Sequence, residues 1–132
     1  MDLLRRVLII QAGVWAACGV AIAVAPGFVL VTLFDLPRLP DQGYVRIAGI
    51  FSFCLALLMV LVARRLTELW WFAWAFLIAS AGSAIVATLN ALFGLPDGAS
   101  SLLWWLFAAA STAFTVGLLA GLAKTGTERP PF

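Results

Sequence analysis

Few side chains in this chain are equipped for chemistry, and Arg46 is the most informative of them. It opens a long apolar run, two residues after Tyr44. A guanidinium is a planar fork that can donate two parallel hydrogen bonds to a phosphate, a carboxylate or a carbonyl. At the centre of a membrane span an arginine costs about 2.5–3.5 kcal/mol on insertion scales, and less near an end, where it can reach the interface. Two readings follow. Arg46 snorkels and pairs with Asp41 or Asp35, or it forms the cationic wall of a pocket with Thr88 and Asn90. Such a pocket would suit an anionic headgroup, a quinone carbonyl or a small acid.

The remaining polar residues of the apolar runs are milder. Gln11, one turn into the first run, can hydrogen-bond to a neighbouring helix or reach the headgroups. Ser80, Ser83, Ser111, Thr112 and Thr115 belong to the third and fourth runs. In such places hydroxyls generally bond back to their own helix or across a packing seam. Cys18 and Cys54 read as small packing residues, with a bridge between them left geometrically open.

Several chemistries are excluded. The chain has no histidine, so there is no Ser-His dyad, imidazole zinc site or His-ligated haem within it. No Cys-x-x-Cys pair is present. No Asp or Glu falls mid-span, where a proton-coupled exporter needs one. Gly94–Gly98 lacks the Lys-Ser or Lys-Thr of a phosphate loop. A net charge of +2, without a basic stripe, does not suit nucleic acid. No enzyme activity and no cofactor are expected.

The elements that carry these residues follow from composition. Of 132 residues, 64% are hydrophobic and 11% charged, and the mean hydropathy is +1.11. Soluble domains are about 25% charged. The bilayer must therefore solvate most of this surface. Seven of the eight cations are arginine, and Ala, Gly, Val and Leu abound, a bias typical of a GC-rich bacterial genome.

We expect one membrane domain over residues 1–132, an all-α antiparallel bundle with transmembrane helices at 7–25, 45–63, 69–93 and 102–123. The first run rises about 28 Å, close to the ~30 Å hydrocarbon core. Pro26-Gly27 ends it. Residues 28–34 are apolar but too short to cross, and predict a short interfacial helix; 125–132 predict a frayed polar tail. The N-terminus imitates a secretory signal, with Arg5-Arg6 before an apolar stretch and a small-residue site at 21–23. The run continues to Ala25, long enough to span, so an uncleaved first helix is the better reading.

Arg5, Arg6, Arg64, Arg65, Lys124 and Arg129 fall on one side of these spans, Arg38 and Arg46 on the other. The positive-inside rule then places both termini in the cytoplasm and the protein in the bacterial plasma membrane. Trp70, Trp71, Trp74, Trp104 and Trp105 lie at span ends, as expected of an aromatic belt.

Helices in lipid associate where small residues let backbones approach. Rows of four-residue spacing predict such seams: Gly13, Ala17, Ala21 and Ala25; Ala48, Ser52 and Ala56; Ala79, Ser83 and Ala87; Ala109, Ala113, Gly117 and Gly121. The last ends in GxxxG and predicts the closest packing.

One segment is familiar. Ala25-Pro26, then Leu33-Phe34-Asp35-Leu36-Pro37, then Tyr44-Val45-Arg46-Ile47-Ala48-Gly49-Ile50 resembles the DoxX-like small bacterial four-helix membrane proteins. In those, a proline closes helix one, a short interfacial segment follows, and an arginine with a nearby glycine opens helix two. The resemblance covers about a third of the chain. It implies a four-helix bundle, sometimes tied to quinone-linked respiratory complexes, and matches Arg46 to the family's arginine without implying a catalytic residue. Three functions remain in order: a non-catalytic subunit or scaffold that packs against a membrane partner or as a homo-oligomer; an outer-leaflet lipid- or quinone-binding accessory protein using Arg46; a small oligomeric transporter or channel using the Ser/Thr faces.

Overall fold

The computed structural model describes residues 1–38, 40–95 and 97–128. What the sequence predicts for Leu39, Pro96 and 129–132, including Arg129 and the end of the tail, lies outside the described residues. The fold is an all-α bundle of four long helices, α1 (Asp2–Val24), α2 (Gly43–Arg64), α3 (Leu66–Gly94) and α4 (Leu102–Glu128), each long and apolar enough to cross a membrane. A π-helical segment, Phe28–Leu33, follows α1 and caps the end opposite the termini. Among the described residues there is no strand.

The helices run beyond the predicted spans, because polar first and last turns extend past the apolar core. The tail expectation is corrected where it can be seen. Residues 125–128 continue α4 as helix, Thr125 is fully buried, and its hydroxyl donates to Gly121 O at 2.9 Å. The cause is α1, which begins at Asp2 and supplies a partner for these turns; the Met1 ammonium reaches Glu128 Oε2 at 3.2 Å. Nearby, Arg5 Nε donates to Ala63 O at 3.1 Å, tying α1 to the end of α2.

Packing pairs α1 with α2 and α3 with α4, and α1 also lies along α4. By contrast α2 and α3 share little contact, most of it beside their connecting turn. The main core cluster gathers entirely in the half nearer the termini. There Leu4, Leu8, Met59, Leu66 and Leu118 are fully buried, with Trp70, Phe76, Leu77, Val62 and Leu122 around them.

The α1–α2 seam departs from the predicted row. Gly13 and Ala17 are exposed, and a Cβ on Gly13 would meet nothing within 4 Å. The close approach is Gly19 against Gly49. A Cβ on Gly19 would lie 2.7 Å from Gly49 O, and one on Gly49 would lie 2.6 Å from Gly19 O and 2.7 Å from Ala23 N. Ser52 is beside this crossing, its Cβ 3.2 Å from the same point on Gly19. The reason is geometric: a strict four-residue row drifts around a helix, whereas spacings averaging 3.5 stay on the partner. Ala12 and Gly19 on α1, and Gly49, Ala56 and Ala63 on α2, all buried, keep that seven-residue spacing.

On α4, Gly121 lies against Leu4, whose Cα is 2.9 Å from an added Cβ, and Gly117 lies 3.1 Å from Val7 Cγ2 by the same measure. Ala113, expected in that seam, is exposed one turn on, because α4 there leaves α1 and opens a cleft with α3. On α3, Ser83 is half-buried and Ala87 fully buried.

The tryptophans divide. Trp71, Trp74 and Trp105 are exposed, as a belt requires. Trp70 instead enters the core, with Trp71 stacked on it at 4.2 Å between ring centroids. Trp104 turns inward and meets Phe34 edge to face at 5.1 Å. Adjacent residues on a helix point about 100° apart. One member of each Trp-Trp pair must therefore leave the lipid-facing side.

Candidate functional site

The half of the bundle opposite the termini is hollow. Its buried residues are small, Gly19, Gly49, Ala87, Ala108 and Ser111 among them. With α2 and α3 in contact mainly at their turn, little fills the centre. A cavity of about 170 Å³ occupies it and draws walls from all four helices: Val14, Trp15, Cys18 and Ile22 of α1, Ser52 of α2, Ser83 of α3, and Phe107, Ser111 and Phe114 of α4. A second cavity of about 300 Å³ lies beside it, under the π-helical cap, between Val29, Leu30, Leu33 and Phe34 and the walls Ala21, Trp104 and Phe107. The two share Cys18, Ile22 and Phe107, so they adjoin through one wall.

The cap is held in place from both sides. Pro26 is fully buried where α1 ends, and Ala25 O accepts from Val29 N at 3.2 Å. At the other end Asp35 adopts a left-handed backbone, φ 54°, and its Oδ2 accepts from Ser100 N at 3.2 Å. Aspartate tolerates that region better than most residues. The cap is thereby tethered to the loop before α4.

Polar groups in the walls are few. Trp104 Nε1 is buried without a hydrogen-bond partner among the described residues. A buried indole N–H generally finds one, and leaving it unmet costs about 1–3 kcal/mol. One layer nearer the termini, Gln11 is fully buried and its Nε2 donates to Ser80 Oγ in a short bond, while its Oε1 has no partner. This hydrogen bond joins α1 to α3 across the bundle, the interhelical one of the two roles open to Gln11. Cys18 and Cys54 are both free thiols, so the bridge left open by the sequence is not formed.

The predicted pocket residues lie elsewhere. Arg46 is exposed, and its Nη1 donates to Ala23 O at 3.4 Å. The expected pairing with Asp41 or Asp35 is replaced: Asp41 accepts from Gly43 N at 2.8 Å, and Asp35 from Ser100 N. The carboxylates satisfy nearby backbone N–H groups, and the guanidinium takes a free carbonyl at the end of α1. Thr88 donates to Ala84 O at 2.7 Å and lines an open cleft of about 760 Å³ between α3 and α4, with Trp105, Ala109, Thr112, Ala113 and Gly117. Arg46 and Asn90 do not line that cleft. Asn90 begins the π-helical turn that closes α3, with its side chain folded toward Gly94.

No family model matches the chain, and neither a curated protein nor a solved structure shows significant similarity to it. The resemblance of the Ala25–Ile50 region to DoxX-like proteins thus stands on those residues alone. Among the described residues, no three His, Cys, Asp or Glu side chains group as metal ligands would.

The sequence predicts no cavity here, and Cys18, Ser52, Ser83, Ser111 and Trp104 read in it only as packing or belt residues. Cys18, Ile22 and Phe107 are ordinary apolar residues there, and nothing in their spacing marks them. The paired tryptophan at 104–105 was the available signal, since one of the two had to turn from the lipid.

Proposed function

We propose that the chain is a non-catalytic membrane protein that takes an amphiphile, a lipid or a quinone, into the half of its bundle beneath the π-helical cap. The observation that carries this reading is the adjoining pair of cavities, about 300 and 170 Å³, walled largely by apolar side chains, with Ser52, Ser83 and Ser111 as polar groups in the smaller one. Ligand sites are typically concave, largely apolar and marked by a few polar groups. The cationic excess around Arg5, Arg6, Arg64, Arg65 and Lys124 supports cytoplasmic termini in a bacterial plasma membrane. The cap then lies at the outer leaflet, and the ligand comes from there. Arg46, an exposed residue of α2 that lines neither cavity, is a headgroup contact at the rim in this reading, not a wall of the site.

Native mass spectrometry after extraction in a mild detergent tests it. The wild-type chain should retain an added mass, and Ile22→Trp, which fills both cavities, should lose it. A wild-type chain that carries nothing, or an Ile22→Trp variant that carries as much, sinks the reading.

A second reading, a subunit packing against another membrane protein or a second copy, is favoured by one observation. Ala109, Ala113 and Gly117 line an open cleft on the lipid-facing side, where small residues would admit a helix. Ala113→Cys, in a chain with Cys18 and Cys54 replaced by alanine, should then crosslink to its partner in native membranes. A monomer throughout removes this reading.

A further inference from the structure

Within α2–α4, hydroxyls mostly follow one habit. Ser52, Thr88, Thr112, Thr115 and Thr125 each donate to the carbonyl one turn back, and Ser80 accepts from Gln11. Ser83 and Ser111 do neither: their hydroxyls have no hydrogen-bond partner among the described residues, although Ser111 is only 6% exposed. Both line the same cavity, the small central one. The back-bond is the default for a helical serine in an apolar setting. Two hydroxyls that forgo it in the walls of one chamber are donors held for something that occupies that chamber.

The other walls say what shape it has. Trp15, Phe107 and Phe114 supply aromatic surface around the serines, which suits a flat group. At about 170 Å³ the chamber is well below the roughly 300–1,000 Å³ of a site that takes a whole small molecule. It has room for a headgroup only. The adjoining chamber, about 300 Å³ and lined by apolar residues of the cap and α1, has room for an apolar tail.

We infer that the ligand enters head first: a planar carbonyl-bearing group sits between the aromatic walls and accepts hydrogen bonds from Ser83 and Ser111, while its apolar tail runs back under the cap past Trp104. This inference rests on the uptake reading above and specifies the chemistry of the same site. Two membrane sources carry a carbonyl on an apolar tail, a quinone and a fatty acyl ester. The flat walls favour the former, and the test separates them.

The test is binding to the full-length chain in lipid nanodiscs, read by quenching or displacement at Trp15 and Trp104. The probes are a decyl-substituted naphthoquinone, decylnaphthalene, which lacks the carbonyls, and methyl dodecanoate. Wild type should bind the naphthoquinone about tenfold more tightly than decylnaphthalene, the worth of one or two modest hydrogen bonds. Ser83→Ala with Ser111→Ala should erase that difference and leave decylnaphthalene binding unchanged, which also shows that the variant is folded. Serine-dependent binding of methyl dodecanoate instead would support the carbonyl site and assign it to an acyl ester. If wild type binds naphthoquinone and decylnaphthalene equally, and the double variant alters neither, the head-first inference is overturned while uptake stands. If wild type binds none of the probes, both fail.

Discussion

The two halves of the bundle are built differently. Toward the termini, leucine, methionine and aromatic side chains from all four helices fill the space between them, and Leu4, Leu8, Met59, Leu66 and Leu118 are fully buried. Toward the cap, α1 and α2 touch backbone to backbone at Gly19 and Gly49, while α2 and α3 stand apart. Close approach on one side leaves the centre to be filled by the others, and small residues do not fill it. In lipid no hydrophobic drive collapses such a space, since the tails outside are as apolar as the walls inside. A solid half can thus anchor the fold while a hollow half remains available to a ligand.

The sharpest way to break this comparison is at the backbone contact. Gly49→Ala would put a Cβ 2.6 Å from Gly19 O and 2.7 Å from Ala23 N, and neither backbone atom can move without moving its helix. We expect a loss of about 3 kcal/mol, at the upper end of overpacking costs, read as a lower unfolding midpoint in detergent. Gly13→Ala and Gly82→Ala are the controls, because a Cβ there meets nothing within 4 Å. Each should be neutral or gain about 0.5–1 kcal/mol from helix propensity. If Gly49→Ala unfolds with wild type, the helices do not meet where the structure places them.

Next in size is the contrast between filled and hollow. Leu8 is fully buried in the core cluster. Leu8→Ala leaves a cavity with closely packed walls and should cost about 2 kcal/mol, most of it the cavity term, since transfer into lipid is nearly neutral. Ile22→Ala enlarges a space that is already open and should cost under about 1 kcal/mol by the same reasoning. Equal losses for the two would mean that the halves are packed alike.

How much of this was legible in the sequence depends on which forces act locally. The spans were, because apolar length alone selects them, and Pro26-Gly27 and the short turn after Arg65 mark their ends. That the termini share an end with the α2–α3 turn follows from four crossings. The seam was not, because Gly13 and Gly19 are equally plausible on composition; the seven-residue spacing of Gly49, Ala56 and Ala63 was the better guide than the four-residue rows. The cavity was not legible at all. It depends on how far α2 separates from α3 after a short turn, a tertiary outcome that no local pattern encodes.

A smaller effect is expected at the boundary between the halves. Ser80→Ala would leave the fully buried Gln11 amide, already missing a partner at Oε1, with none at Nε2 either. The cost should be about 1–2 kcal/mol. Adding Gln11→Leu removes the stranded amide and should restore stability to within about 0.5 kcal/mol of wild type, because replacing both partners by apolar groups is nearly neutral. A double-mutant cycle measures this directly. A cycle with no coupling would mean that the two side chains do not meet, and that the boundary layer is set by packing alone.

The smallest effect is expected at Arg46, and it sharpens the comparison by showing what does not hold the hollow half together. Arg46 is exposed, and its contact with Ala23 O is long, 3.4 Å, near the limit at which such a bond counts. An exposed arginine also surrenders side-chain entropy to hold one geometry, which offsets most of what the contact contributes. Arg46→Gln keeps a donor and much of the apolar stem, and its unfolding midpoint in detergent should move by no more than about 0.5 kcal/mol equivalent. The seating of α1 on α2 would then rest on Gly19 and Gly49 alone at that end. A loss above about 1.5 kcal/mol would reverse the conclusion. The arginine would be clamping the two helices from outside the seam, and the hollow half would owe its shape to a polar tie rather than to backbone contact.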